Sequence, residues 1–308
     1  MHASHSSTNH APRPLNGIRI LSLALNLPGP AALMRCQQMG AHCSKLEPVA
    51  ASDHVCADPM FSYSPQAYAQ LHTGIHVLQA NLKTEQGQRT LQSLLSQTDV
   101  LMTSFRPSAL PRLGLDWECL HHQHPQLCMV RIVGSTIASE IDHPGHDLTY
   151  QAQAGLIHNG HMPNSLLADM AGAITATEAV MQCLLLRLQT GHGHCLDIGL
   201  AQAAQWLALP RHWKLSTIDG DVGGAHAGYR MYSCLDGWVA LAALEPHFAQ
   251  RLCELAGLEN DDGSAAFMRA PSTHDRIASF MQTRSCSAIA AIAEQSDIPL
   301  QVIYDISK

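Results

Sequence analysis

Three positions in this 308-residue chain carry side chains that could move a proton or attack a carbonyl. His146 stands in Gly145-His146-Asp147, after a polar loop. Asp169 falls in the first turn of a long apolar helix, and Glu245 stands in Leu244-Glu245-Pro246, where a strand gives way to a helix. An imidazole and two carboxylates, all in loops or at element starts, are an inventory for general acid–base chemistry. A helix N-terminus also offers free N–H donors and a partial positive charge, which favour an anion developing beside it, such as an enolate oxygen. Position alone nevertheless favours helix capping for Asp169, an ordinary first-turn glutamate at Glu245 and a loop histidine at His146. Sequence separation does not show whether the three meet.

The elements that must position them follow from patterning. Ile18 to Leu23 is a buried strand, Pro28-Gly29-Pro30 a turn, and Ala31 to Met39 a helix closed by Gly40. Strands follow at His42–Leu46, His76–Ala80, Asp99–Thr103 and Leu127–Val133. Between them come a helix capped by Thr84 and another capped by Asp116. This alternation predicts parallel βαβ units with ligands at the carboxyl ends of the strands. Beyond Tyr150 a helix over Leu166–Gln189 ends at Gly191-His192-Gly193. A strand at Cys195–Ile198 and a helix at Ala201–Leu209 follow. Tyr229 to Ala243 reads as a β-hairpin turning at Leu235-Asp236-Gly237, with helices near 246–256 and 273–294, the latter interrupted at Ser285. The expected organisation is a disordered His-rich tail over 1–15, a Rossmann-like large domain over 16–212 and a small α+β domain over 213–308.

Composition excludes several classes. A formal net charge of −7 argues against nucleic acid or an anionic membrane as partner. The first strand is followed by Pro28-Gly29-Pro30 rather than G-x-G-x-x-G, and no G-x-x-x-x-G-K-[ST] occurs, which disfavours a nicotinamide cofactor and nucleotide triphosphate hydrolysis. The ten cysteines form no C-x-x-C pair and stand mostly in apolar runs, as expected of reduced thiols in a cytoplasmic protein. The polar first 14 residues show no secretory signal. The most apolar stretch, Ile174 to Leu188, contains Glu178 and Arg187 and is shorter than the roughly 20 residues that span a bilayer. None of the 20 histidines repeats a metal-ligand spacing with thiolate or carboxylate partners, so no metal is expected.

A series of short segments then narrows the reading. Gly17-Ile18-Arg19-Ile20-Leu21, Gly29-Pro30-Ala31, Met39-Gly40-Ala41 and Lys45-Leu46-Glu47-Pro48 occur in order. They are followed by Ser104-Phe105-Arg106-Pro107, Leu113-Gly114-Leu115, Pro144-Gly145-His146-Asp147-Leu148-Thr149-Tyr150 and Leu167-Ala168-Asp169-Met170-Ala171-Gly172. Thr190-Gly191-His192-Gly193, Tyr229-Arg230-Met231-Tyr232, Asp236-Gly237-Trp238-Val239-Ala240 and Ala243-Leu244-Glu245-Pro246-His247-Phe248 complete the series. Over about 15–303 the chain resembles the family III CoA-transferases, the family that includes α-methylacyl-CoA racemase.

The resemblance implies a Rossmann-like large domain with a smaller α+β domain, two chains interlocked as a homodimer, and coenzyme A bound as an acyl-CoA substrate. It makes Asp169 the nucleophile of a transferase, forming an acyl anhydride and then an aspartyl-CoA thioester. In a racemase Asp169 is instead one of two acid/base groups, with His146 the other and Glu245 assisting it. Arg106, Lys45 and Asp147 match positions near the cofactor, and a guanidinium suits a phosphate better than an ammonium does. Gly223, Gly224 and Gly228 form either a loop over the acyl group or an interdomain linker. Where relatives carry an Asn-Arg-Gly-Lys-like basic stretch, this chain reads His72-Thr73-Gly74-Ile75-His76, without a fixed cation.

Because His146 accompanies Asp169 and Glu245, the leading expectation is a racemase or epimerase of 2-methylacyl-CoA thioesters. Inversion at the α-carbon needs one base on each face and help for the enolate oxygen. The alternative is a CoA-transferase between carboxylic acids through covalent catalysis at Asp169. A third reading, a non-catalytic acyl-CoA-binding protein, is motivated by the missing basic stretch.

Overall fold

A computed structural model describes residues 13–50, 55–258 and 263–303. In chain order the first part comprises β1 (Arg19–Ser22), α1 (Pro28–Gln38), β2 (His42–Glu47), α2 (Pro59–Tyr63), α3 (Pro65–Leu71), β3 (His76–Gln79), α4 (Glu85–Leu95), β4 (Val100–Thr103), α5 (Trp117–Gln123), β5 (Cys128–Val133), α6 (Asp147–Gln153), α7 (Leu167–Thr190), β6 (Cys195–Gly199) and α8 (Leu200–His212). The six strands pair parallel in the order β3-β2-β1-β4-β5-β6. This doubly wound order reverses direction between β1 and β4, where a crevice opens at the carboxyl ends.

The two-residue period of the strands sorts the core. Ile20, Val100, Met102, Cys128, Val130 and Ile132 pack on one face with residues of α1, α3 and α7. Leu21, Leu46, Leu101 and Met129 pack on the other with Leu91 and Leu95 of α4 and Leu120 of α5. Both faces are covered, as a parallel sheet requires. Thr84 and Asp116 cap α4 and α5 through side-chain bonds from Gly87 N–H (3.1 Å) and Cys119 N–H (3.1 Å). By length and composition α7 could cross a membrane; here it lays Ala173, Ala176, Val180 and Cys183, a stripe of helical spacing, on the sheet. The short side chains let the helix approach the strands closely.

The chain divides into compact units at Met1–Ala208 and Leu209–Lys308, whereas 212 was the expected boundary. The division falls inside α8, because the first unit's contacts run into that helix. The second unit holds β7 (Tyr229–Ser233), β8 (Trp238–Ala242), α9 (Pro246–Leu255), α10 (Ala265–Met268), α11 (Pro271–Gln282), α12 (Cys286–Gln295) and β9 (Leu300–Ile303). Its strands form an antiparallel sheet in the order β7-β8-β9 around a core of Val239, Leu241, Leu252, Ile277 and Ile289. Ser285 caps α12 by accepting Ala288 N–H at 3.2 Å, which is why the expected long helix breaks there. The expected tail lies outside the described residues up to residue 12. Its end does not fit that expectation: Leu15 is buried in the core, with its N–H on the Met39 carbonyl (3.1 Å).

Candidate active site

A cavity of about 260 Å³ lies at the switch point of the first unit. The turn after β1 supplies Leu25 and Asn26, the turn after β4 supplies Ser104 to Pro107, the end of β5 supplies Ile132 to Gly134, and the loop into α6 supplies His143 to His146. Tyr150 and Asp169 complete the acid-bearing side. His146, Asp169 and Arg106, distant in sequence, thus border one space. Glu245 belongs to the second unit, where it is exposed and precedes α9 without a side-chain capping bond.

Asp169 is the third residue of α7. It does not cap that helix itself. Leu166, in the capping position, has no side chain for the task. The service comes from a different element: Asp147 Oδ1 accepts the Asp169 N–H at 3.0 Å. Asp147 is buried, and its other oxygen accepts from Gln151 Nε2 at 2.5 Å, which also donates to the Ser165 carbonyl at 3.0 Å. Asp147, Tyr150 and Gln151 fall on one face of α6 at i, i+3 and i+4, and that polar face is the buried one. The expected role of Asp147 as a cofactor contact does not fit this setting. Both its oxygens are engaged inside the protein, and it holds the start of α7.

The Asp169 carboxylate accepts no hydrogen bond from any described residue. Burial pushes its carboxyl up to about 7, and the charge of Asp147 adds to the rise. Its place in the first helical turn opposes that shift, and burial wins. Tyr150 joins the same field. Its hydroxyl is pushed up by burial and then by Asp169, with Arg106 opposing. Close approach of this ring requires glycine at two places: a Cβ at Gly134 would stand 2.5 Å from Tyr150 Oη, and one at Gly145 would stand 2.6 Å from Cζ. His146 is exposed at the lip of the cavity. Its backbone is fixed by Thr149, whose hydroxyl accepts the His146 N–H (3.1 Å) and donates to its carbonyl (2.7 Å). Arg106 is exposed beside the cavity, and its guanidinium makes no ion pair among the described residues.

Lys45 is not at the cavity. Its ammonium is fully buried among Glu47 (2.8 Å), Asp58 and His72 Nε2 (2.9 Å), with Tyr68 Oη donating to Glu47 at 2.9 Å. The expectation that Lys45 meets a CoA phosphate does not fit, because its charge is satisfied in the core. One ligand atom each of Glu47, Asp58 and His72 lies within 4.8 Å of the others, a spacing that suits a bound cation. The Lys45 ammonium makes close contact with all three. His72 Nδ1 lies 2.6 Å from the Tyr68 carbonyl, so it donates there, leaving Nε2 to accept from Lys45. Burial and then Lys45 lower the His72 pKa, in keeping with that neutral tautomer.

Sequence reasoning passed over Asn26, Tyr150 and Gln151. The spacing of Asp147, Tyr150 and Gln151 held a signal, but α6 has too few apolar residues to read as a packed helix.

A parallel sheet with a cavity and a buried carboxylate at its switch point is the place where α/β enzymes of this architecture hold their ligands. A family model for CoA-transferase family III matches residues 15–308, and the chain belongs to that family. It is 26% identical over 262 residues to the Mus musculus succinyl-CoA:glutarate CoA-transferase, covering 80% of this chain and 60% of that protein. The Agrobacterium fabrum succinate–glutarate CoA-transferase is 27% identical over 268 residues, with 80% and 67% covered. The Chloroflexus aurantiacus succinyl-CoA–D-citramalate CoA-transferase is 25% identical over an alignment of 327, with 97% and 80% covered. This chain therefore spans less than two thirds of the mouse relative's length. Among solved structures, a Mycobacterium tuberculosis hypothetical protein superposes with a TM-score of 0.80 at 20% identity, covering 96% of this chain and 85% of that one. A CaiB/BaiF family protein of Brucella suis gives 0.77 at 20% identity, with 96% and 85% covered. These likenesses show the fold.

Proposed function

We propose that this chain moves coenzyme A between carboxylic acids, with Asp169 as the nucleophile. The observation that carries the reading is a buried carboxylate, free of hydrogen bonds from described residues, opening on a cavity in a member of a CoA-transferase family. The relatives' names weigh in the same direction, and they favour transfer over the racemase expected from the His146, Asp169 and Glu245 set.

The Asp169 carboxylate oxygen attacks the thioester carbonyl carbon. A C–O bond forms, the C–S bond breaks, and the CoA thiolate leaves. The product is a mixed anhydride. The thiolate then attacks the aspartyl carbonyl, expelling the donor acid as its carboxylate and leaving an aspartyl-CoA thioester. An acceptor carboxylate reverses these steps with its own carbonyl. No net proton is required. A carboxylate stripped of water and hydrogen bonds is a stronger nucleophile than a solvated one. Arg106 stands where it could meet a phosphate of CoA, and dicarboxylic acids are the substrates to try first. A cytoplasmic location and a homodimer complete the proposal; the ten cysteines, all free thiols, support the first.

Hydroxylamine added with succinyl-CoA should convert Asp169 to its hydroxamate, a change readable by peptide mass spectrometry. An unmodified Asp169 under turnover conditions would sink the transferase reading.

A two-base racemase remains the second reading, favoured by His146 and Asp169 bordering one cavity and by an Asp169 pKa of about 7, suited to proton transfer. It predicts deuterium uptake at the α-carbon of a 2-methylacyl-CoA in heavy water, and no uptake removes it.

A further inference from the structure

We propose that the carboxamide of Asn26 contacts the substrate, hydrogen-bonding the acyl carbonyl oxygen beside Asp169. The proposal rests on the covalent-transfer reading for its chemistry.

Asn26 lines the same cavity as Asp169 and has a backbone in the left-handed region, with φ of 70°. Glycine occupies that region without cost, and among other residues asparagine tolerates it best. An asparagine there retains a side chain where the backbone alone does not call for one. That backbone is held from behind. Asp58 Oδ1 accepts the Asn26 N–H at 2.9 Å and also the Met60 N–H at 2.9 Å, while Asp58 Oδ2 is gripped by the buried Lys45 ammonium. On the adjoining residue, Leu25 N–H donates to Ser104 Oγ at 3.3 Å. The turn is thus fixed at two consecutive peptides, yet the Asn26 carboxamide bonds to no described residue. A side chain held on a rigid, left-handed turn and left unpaired at a reactive cavity is arranged for a ligand.

The chemistry decides which ligand. Attack on a thioester places negative charge on the carbonyl oxygen, and a neutral N–H donor stabilises it without pairing off the Asp169 carboxylate, as a cation would. Arg106 and Tyr150 also border the cavity; the first is a charge suited to phosphate, and the second, a phenol that burial and Asp169 keep protonated, can donate alongside Asn26.

Asn26→Gly is the test, since it keeps the left-handed turn and the N–H to Asp58 while removing the carboxamide. Hydroxylamine trapping of Asp169 with succinyl-CoA should slow by about a hundredfold to a thousandfold, the range seen on deleting one such donor. The calorimetric Kd for succinyl-CoA should weaken severalfold. Trapping rate and Kd both unchanged in the variant overturn the proposal. A wild type that binds succinyl-CoA but is never trapped refutes the transfer reading alone, and the Kd comparison still decides for Asn26. A wild type that binds no succinyl-CoA overturns both.

Discussion

The first unit buries two groups of acids, and they are built in opposite ways. Glu47 and Asp58 lie around the Lys45 ammonium, with His72 and Tyr68 closing the cluster. Asp147 and Asp169 lie together with no ion-pair partner among the described residues, linked by a carboxylate that accepts a backbone N–H. The first group is compensated inside the core and turned away from any ligand. In the second, Asp147 is spent on backbone and amide donors, and Asp169 is left without a partner, so that burial, with the Asp147 charge adding to it, raises it to about 7. On the proposed function, what marks the reactive group is therefore not burial of a charge but burial without a partner. The two groups are also coupled in structure, since Asp58 in the compensated cluster fixes the Asn26 turn that borders the uncompensated one.

The largest expected effect comes from removing the compensation. Lys45→Met leaves Glu47 and Asp58 facing each other in the core and should cost about 3–5 kcal/mol, read by urea unfolding at pH 7. A cost below about 1 kcal/mol at pH 7 would show the cluster to be solvated and remove the contrast.

Asp169→Asn should act in the other direction on stability. An acid whose folded pKa lies above its unfolded value contributes stability that is fully present below the unfolded value, 3.8, and lost as pH rises through about 7. The wild type should therefore weaken relative to Asp169→Asn between about pH 4 and pH 7. Above pH 8 the variant should be the more stable by on the order of 1–3 kcal/mol, even as transfer is abolished. Equal stability at pH 8 would mean that the Asp169 charge is compensated after all.

These contrasts were unevenly legible in the sequence. The parallel sheet was readable because its strands are buried on both faces and so appear as continuous apolar runs, as in Cys128-Met129-Val130. Asp169 was readable as a first-turn acid, and its ordered neighbouring motifs pointed to catalysis. What the sequence could not reveal was partnership across elements. Lys45 looks like a strand-end cation until Asp58, 13 residues on, and His72, 27 residues on, fold back on it. Asp147 looks like a ligand contact until its oxygens are seen serving α7 and Gln151. Asn26 is one polar residue before the Pro-Gly-Pro that opens α1, and only the cavity gives it meaning.

The smallest effect tests what keeps Asp169 buried. The Tyr150 ring passes close to Gly134 and Gly145, and its titration responds to Asp169. In Gly145→Ala the new Cβ would stand 2.5 Å from Oη and 2.6 Å from Cζ. Such contacts cannot persist, so the ring must move. Strain of this kind costs about 1–3 kcal/mol, which the fold should survive. A displaced ring admits water to the acid-bearing wall of the cavity. Desolvation is the first cause of the raised Asp169 pKa, so the midpoint of the pH–rate profile for hydroxylamine trapping should fall below about 7, by roughly half a unit to one unit. An unchanged midpoint, with the ring shown by crystallography to have moved, would assign the shift to Asp147 instead of burial. The uncompensated group would then be a coupled pair of acids, and the contrast with the Lys45 cluster would rest on their mutual repulsion.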